Sequence, residues 1–407
     1  MLSKNYPKNY QSIPSPCYVL EEEKLEKNLK LLQRVEKESG AKVLLALKGY
    51  ALWRSFPLAR EYLSGITASG IYEAKLGYEE FQKEVSVFSP AYKKEEIIEL
   101  VKISNHIIFN SFLQWQTYKD YILEENKQRE VQKRAKIEIG LRVNPQYSEV
   151  TPAIYNPCIE GSRLGINKEE FQKGVEKYGL EGISGLHFHT HCEQNSDALK
   201  RTLKHFVKHF GEFIPQMQWI NFGGGHHITR EDYDVELLIK IIKKFNKTYH
   251  KQVYLEPGEA IGWQTGFLIG SVVDIVKNGI DIALLDVSAA AHMPDCLEMP
   301  YRPMVRNSFF AKAQTKHKQL QLKSEAKYAY RLGGPTCLAG DVIGDYGFEE
   351  ELKIGDRIIF EDMIHYTIVK NNTFNGVPLP SIGIIRKNGE FELLKSFSYE
   401  DYKYRNS

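Results

Sequence analysis

Val43-Leu44-Leu45-Ala46-Leu47-Lys48-Gly49-Tyr50 is the stretch on which the reading of this chain turns. Five apolar residues run unbroken into a lysine and a glycine. A short continuous apolar run marks a strand buried on both faces, as in a parallel sheet or barrel. Lysine is rarely buried without a partner, because stripping water from an ammonium is costly. Lys48 therefore either lies just past the strand end and reaches for water, or is a Schiff-base lysine whose amine burial sets free as a nucleophile. The stretch alone leaves both open.

Outward from it the texture repeats. Pro14-Ser15-Pro16-Cys17-Tyr18-Val19-Leu20 reads as an extended lead-in strand, since its prolines cannot sit inside a helix. Residues 21–39 are predicted helical. Leu25, Leu29, Leu32 and Val35 share one face there, and Gly40 can end the helix. Beyond Lys48, apolar runs occur at 65–69, 85–89, 106–110, 137–143, 182–189, 219–222 and 253–256. Helix-like segments such as 95–102, 168–178 and 235–247 separate them. Eight strands with helical crossovers are the pattern of an α/β fold, a (β/α)8 TIM-like barrel, over residues 22–265. Its active site would lie at the C-terminal strand ends, where Lys48, Ser69, Arg142, Asn144, His189, Gly223 to Gly225 and Glu256 fall. From 266 onward, short β-type runs at 270–276, 282–286, 328–332, 357–361 and 366–369 predict an antiparallel β domain, a β-sandwich or β-barrel of residues 1–21 and 266–407. Residues 311–327 read as polar surface.

Composition bounds the rest. At 407 residues, two domains are expected. A formal net charge of +2 gives no reason to expect nucleic acid or an anionic membrane as partner. No apolar run is long enough to cross a membrane, and the first residues show no signal-peptide pattern. Five cysteines (Cys17, Cys158, Cys192, Cys296, Cys337) are scattered, with no Cys-x-x-Cys pair. Reduced thiols in a cytoplasmic protein are expected.

The candidate chemical groups are individually weak signals. Gly223-Gly224-Gly225 follows an apolar strand and could aim backbone N–H groups at a phosphate, or be a structural tight turn. His187, His189 and His191 alternate onto one face. They suggest a ring to stack on a flat cofactor, or core and surface histidines; no second ligand group at metal spacing follows, so no metal is expected. Glu256 would be a carboxylate in the barrel mouth, paired with a cationic ring nitrogen or with Arg142 or Arg163. Cys337 sits in a turn-rich loop with Asp341, as an acid, a nucleophile or a packing residue. Tyr366 offers a phenol able to bond a phosphate.

Together and in this order, the motifs resemble the fold-type III pyridoxal-phosphate (PLP) decarboxylases, the alanine-racemase-like group that includes ornithine and diaminopimelate decarboxylases. The resemblance runs from Pro14 to Phe374. It rests on Lys48, Ala68-Ser69 with Glu73, Leu141-Arg142-Val143-Asn144, Ser162-Arg163-Leu164-Gly165, Phe188-His189, the glycine triplet, Glu256-Pro257-Gly258, Gly334-Pro335-Thr336-Cys337, and Tyr366 with Phe374-Asn375-Gly376. Leu47-Lys48-Gly49-Tyr50, His189-Thr190-His191-Cys192-Glu193, Glu256 to Ala260 and Met293 to Pro303 resemble the carboxynorspermidine/carboxyspermidine branch. The resemblance implies that Lys48 holds PLP, His189 stacks on its ring, Gly223, Gly224, Gly225 and Tyr366 hold its phosphate, and Glu256 pairs with the ring nitrogen. It also implies a homodimer with shared active sites, in which Cys337 and Asp341 come from the second subunit and Cys337 donates a proton. A polyamine tail needs carboxylates for its amines, and Asp295, Glu298 and Asp341 are the candidates. The chain departs from the group at Glu259, where related enzymes carry a phosphate-binding arginine, and at Cys192, where a serine is expected. Two alternatives stand beside this reading: a diaminopimelate- or ornithine-type decarboxylase, and a non-catalytic relative that keeps the fold for binding or regulation.

Overall fold

The structure is a computed structural model that describes residues 12–316 and 319–407. The first residues, including the stretch read as lacking a signal pattern, lie outside it. Two compact units divide the chain: residues 26–261, and the N-terminal segment through Leu25 together with residues 262–407.

The first unit is a closed barrel of eight parallel strands. After the lead-in strand β1 (Cys17–Glu21) come β2 (Lys42–Ala46), β3 (Gly65–Ala68), β4 (Glu84–Phe88), β5 (His106–Phe109), β6 (Glu138–Arg142), β7 (Gly185–His187), β8 (Trp219–Asn221) and β9 (Gln252–Leu255), which pairs back on β2. Val43, Leu44 and Leu45 are fully buried, as a two-sided strand requires. β7 is shorter than its apolar run, because Gly182 takes φ +81 and turns the chain before the ladder begins. The lower end of the barrel is closed by aromatic and charged groups. His106 stacks on Trp219 at 5.0 Å, with Glu84 3.3 Å from Nδ1 and Glu138 3.5 Å from Nε2.

Outside the barrel, Leu25, Leu29, Leu32 and Val35 of the first helix (Glu22–Ser39) are fully buried, and Gly40 closes it at φ +77. Among the described residues no helix is long and apolar enough to cross a membrane.

The second unit carries β10 (Gly266–Asn278), β11 (Ile280–Leu285), β12 (Phe309–Phe310), β13 (Lys312–Lys316), β14 (Gln319–Lys323), β15 (Tyr328–Gly333), β16 (Val342–Phe348), β17 (Arg357–Glu361), β18 (Ser381–Ile385) and β19 (Phe391–Lys395). Its main sheet runs β12-β16-β15-β11-β10-β1-β18-β19, with β17 also on β10. It is mixed rather than wholly antiparallel: β1 with β18 and β11 with β15 are parallel. The expected polar surface after Ala311 is largely exposed, and one further expectation changes. The polar stretch after Ala311 folds as the β13–β14 hairpin, its alternating Gln319-Leu320-Gln321-Leu322-Lys323 being a strand pattern. The run at Tyr366 is a short helix, Tyr366–Lys370, because it buries the adjacent pair Thr367 and Ile368 rather than alternate residues.

Candidate active site

Glu256 follows the last residue of β9 and is 7% exposed. The ends of the two preceding strands hold it. Asn221 Nδ2 donates to Oε1 at 2.7 Å, and His187 Nε2 lies 3.2 Å from Oε2. Burial alone would raise this acid. The His187 ring, the Asn221 amide and the charge of Lys48 outweigh burial and take its pKa down to about 2. His187 is itself pushed below the usual imidazole value by burial. At neutral pH the pair is thus a carboxylate accepting from a neutral ring.

Lys48 sits in the turn directly after β2. That turn is laced to the segment beyond Glu256: Ala46 N–H donates to Pro257 O at 3.0 Å, and Gly49 leaves room for the Gly258 backbone, which a Cβ would approach to 3.0 Å. The residue is exposed to solvent, yet neighbouring protein atoms displace much of its water. That loss of water, with the positive charge of Arg142, lowers its pKa against the pull of Glu256 and Glu73. Both readings of Lys48 therefore meet in one residue, past the strand end in position and nucleophilic in environment.

Arg142 ends β6, buried, with its guanidinium 4.5 Å above the Phe88 ring; burial takes its pKa down to about 10. Ser69 N–H donates to Glu73 at 2.6 Å. His189 accepts the Gly224 N–H on Nδ1 at 2.9 Å, which fixes its orientation and puts the remaining proton on Nε2. Burial, then Lys48 and Arg142, hold it well below the usual imidazole range.

The glycine triplet is required by packing. Gly223 and Gly225 take φ +71 and +76, and a Cβ at Gly225 would lie 2.0 Å from His191 O. Gly223 and Gly224 direct their N–H groups to Asn221 and His189. Beside the triplet, His191 and His226 lie buried with ring centres 4.9 Å apart, burial holding them at about 4 and about 3. Glu259 stands 3.9 Å from His227; with Glu193 their ligand atoms lie within 4.8 Å of one another.

The sheet unit carries the remaining predicted residues. Cys337 is exposed, and its N–H donates to Asn375 at 2.7 Å. Asp341, a candidate substrate ligand, is engaged within its own loop and the turn beside it. It is buried and accepts from Ser288 Oγ, Ala290 N, Thr336 N and Thr336 Oγ1. Asp295 and Glu298 share the one-turn helix Asp295–Glu298, and both bond the ammonium of Lys370. Sequence reasoning gave Asn221, His187 and Lys370 no part in holding an acid; His187 was weighed only as a ring facing a flat cofactor or as a core histidine. The first two were signalled by ending neighbouring barrel strands. Lys370 had no local signal, since its partners are far away in sequence.

The family described as "Pyridoxal-dependent decarboxylase, C-terminal sheet domain" matches residues 17–364. The chain belongs to this family. Among its relatives within these decarboxylases, the carboxynorspermidine/carboxyspermidine decarboxylase of Campylobacter jejuni is 49% identical over 98% of this chain and 100% of its own. A carboxyaminopropylagmatine decarboxylase of Synechocystis is 45% identical over 97% and 96%. The crystal structure of the C. jejuni carboxynorspermidine decarboxylase complexed with norspermidine superposes at TM-score 0.84 and 47% identity, covering 97% of this chain and 100% of that one. As a pyridoxal-dependent decarboxylase, the chain is an enzyme of the carboxy-lyase type.

Proposed function

We propose that the chain decarboxylates a carboxylated polyamine, carboxynorspermidine or carboxyspermidine, with PLP as its cofactor. The observation that carries this is the pairing, in one barrel mouth, of a lysine with a lowered pKa and an ionised, buried Glu256. The near full-length likeness to the C. jejuni protein supports the substrate class.

The residues present fit PLP. A buried carboxylate suits a protonated ring nitrogen, a fixed imidazole suits a ring face, and a deprotonatable lysine suits an aldehyde. When bound, PLP supplies the electron sink for the pair left by departing CO2. The chain does the rest. Lys48 presents an Nζ whose pKa is lowered, which favours the amine form. Glu256, held ionised by His187 and Asn221, keeps a proton on the ring nitrogen. His189, held by Gly224, presents its flat face. Gly223, Gly224 and Gly225, and Tyr366, are kept as the groups that would hold the phosphate. We take the working unit to be a homodimer in which a second subunit supplies Cys337 as proton donor, in keeping with its exposure. Five free thiols favour the cytoplasm. Asp295 and Glu298 are kept as ligands for the distal amine.

The test is CO2 release by PLP-loaded protein offered carboxynorspermidine, carboxyspermidine, carboxyaminopropylagmatine, diaminopimelate and ornithine in parallel. Release from the first two above all others is expected. Release from diaminopimelate or ornithine instead would move the substrate.

A further inference from the structure

The Cys337 thiol is exposed, but the backbone that carries it is held from both sides. On one side, Thr336 gives its N–H and its hydroxyl hydrogen to Oδ2 of Asp341. On the other, the Cys337 N–H donates to Oδ1 of Asn375 at 2.7 Å. The two holds share one anchor, the short helix Ala289–His292. Asp341 Oδ1 accepts the Ala290 N–H at 3.2 Å. The turn bearing Asn375 is tied to the same helix, since Asn372 donates from Nδ2 to Ala290 O at 2.9 Å and from its N–H to Ala291 O at 2.8 Å. The C-terminal helix, Tyr399–Arg405, holds that turn from outside. Arg405 Nη1 donates to Thr373 Oγ1 at 2.7 Å, and the Tyr402 ring covers Gly376. Asn375 itself takes φ +60, a left-handed backbone that asparagine adopts more readily than most residues.

We propose that Asn375 is a positioning residue, which fixes the direction in which Cys337 presents its thiol. This rests on the reading of Cys337 as proton donor and deepens it. Holding the N–H of Cys337 fixes rotation about its N–Cα bond, and so the direction of Cα–Cβ; the thiol keeps only its own side-chain rotation. Loss of CO2 leaves an electron pair on the substrate carbon. Cys337 gives its Sγ–H proton to that carbon, and the thiolate takes a proton back from water. A thiol off its line loses the race to solvent, whose proton then lands on the aldehyde-derived carbon of the cofactor. Water next releases the product as an aldehyde and leaves its nitrogen on the cofactor as pyridoxamine phosphate. The product carbon is oxidised and the cofactor reduced, so no outside oxidant is needed. Asn375 keeps the proton on the first course.

The test uses PLP-loaded enzyme and whichever compound of the panel above releases CO2. Asn375→Gly keeps the left-handed backbone and removes the acceptor; Asn375→Asp keeps both. In Asn375→Gly, kcat should fall roughly 10-fold with KM changed less than twofold, and pyridoxamine phosphate formed per CO2 should rise severalfold. Asn375→Asp should return both to within about twofold of wild type. Without substrate, hydrogen exchange at the Cys337 amide, read by mass spectrometry, should quicken severalfold in Asn375→Gly and not in Asn375→Asp. Unchanged exchange, unchanged partition, or equal effects of the two variants would overturn the proposal. Should Asn375→Gly fail to fold, Asn375→Ser, whose hydroxyl falls short of the Cys337 N–H, is judged by the same measures. Pyridoxamine phosphate from Cys337→Ala but not from Asn375→Gly would sink the positioning role alone. Wild-type turnover in Cys337→Ala would sink the proton-donor reading, and the proposal with it.

Discussion

An ionised carboxylate beneath a barrel mouth is costly unless its charge is put to use. Glu256 has one neutral donor on each oxygen, and neither neutralises it. The negative charge is left for whatever cation enters the mouth, and that is what a protonated ring nitrogen needs. Glu256→Gln keeps the shape and removes the charge. Turnover should fall by about 100-fold or more, the usual loss when one preorganised electrostatic partner is removed, while the protein stays folded. Steady-state rates with the preferred substrate check this, and loss of less than tenfold would remove Glu256 from its role. At this scale the sequence was informative about which residues matter and silent about what they touch. Glu256 and Lys48 were legible because they end buried strands. The partners of Glu256 were weighed as Arg142 or Arg163, since charge complementarity is all a sequence offers; the fold places His187 and Asn221 nearer. Asp341 read as a carboxylate for a substrate amine, and the loop hydrogen bonds it accepts are set by tertiary structure.

Elements whose residues repeat with a period were legible, and those fixed by packing were not. The barrel strands and the first helix announce themselves by burial pattern. The Tyr366–Lys370 helix does not, because Thr367, Ile368 and Val369 favour strands by β-branching. The glycine loop after β8 could be read as an anion cradle or a tight turn, and only neighbouring backbones decide between them. The loop's backbone conformation carries a prediction. Gly225→Ala would force a methyl to within 2.0 Å of His191 O at φ +76. Overpacking and a left-handed alanine together should cost roughly 3 kcal/mol or more. Gly70→Ala, with extended backbone and nothing within 4 Å of the added carbon, should change stability by less than about 0.5 kcal/mol. Denaturant unfolding of both variants distinguishes a packing requirement from a permissive loop; equal effects would contradict it.

Across the whole molecule, buried histidines set the response to acid. His191 and His226 are depressed from 6.5 to about 4 and about 3 by burial. Unfolded, each takes a proton near pH 6.5; folded, each resists. Their contribution to stability is therefore complete above pH 6.5 and declines as pH falls toward 4 and 3. At pH 5 the loss is about 2 kcal/mol for each, a large share of the 5–15 kcal/mol typical of a folded protein. Glu256, depressed to about 2, extends the decline below pH 4.5. The melting temperature should fall steadily from pH 7 to pH 5, and His226→Phe should flatten that slope; a pH-independent melting temperature would contradict the burial of these rings. One lysine among the many in this chain, Lys48, is proposed to hold the cofactor. Borohydride reduction of the PLP-loaded protein, followed by peptide mass mapping, tests it most directly. The account predicts a single pyridoxyl adduct on Lys48, absent from Lys48→Ala. An adduct on another lysine, with Lys48 unmodified, would contradict it.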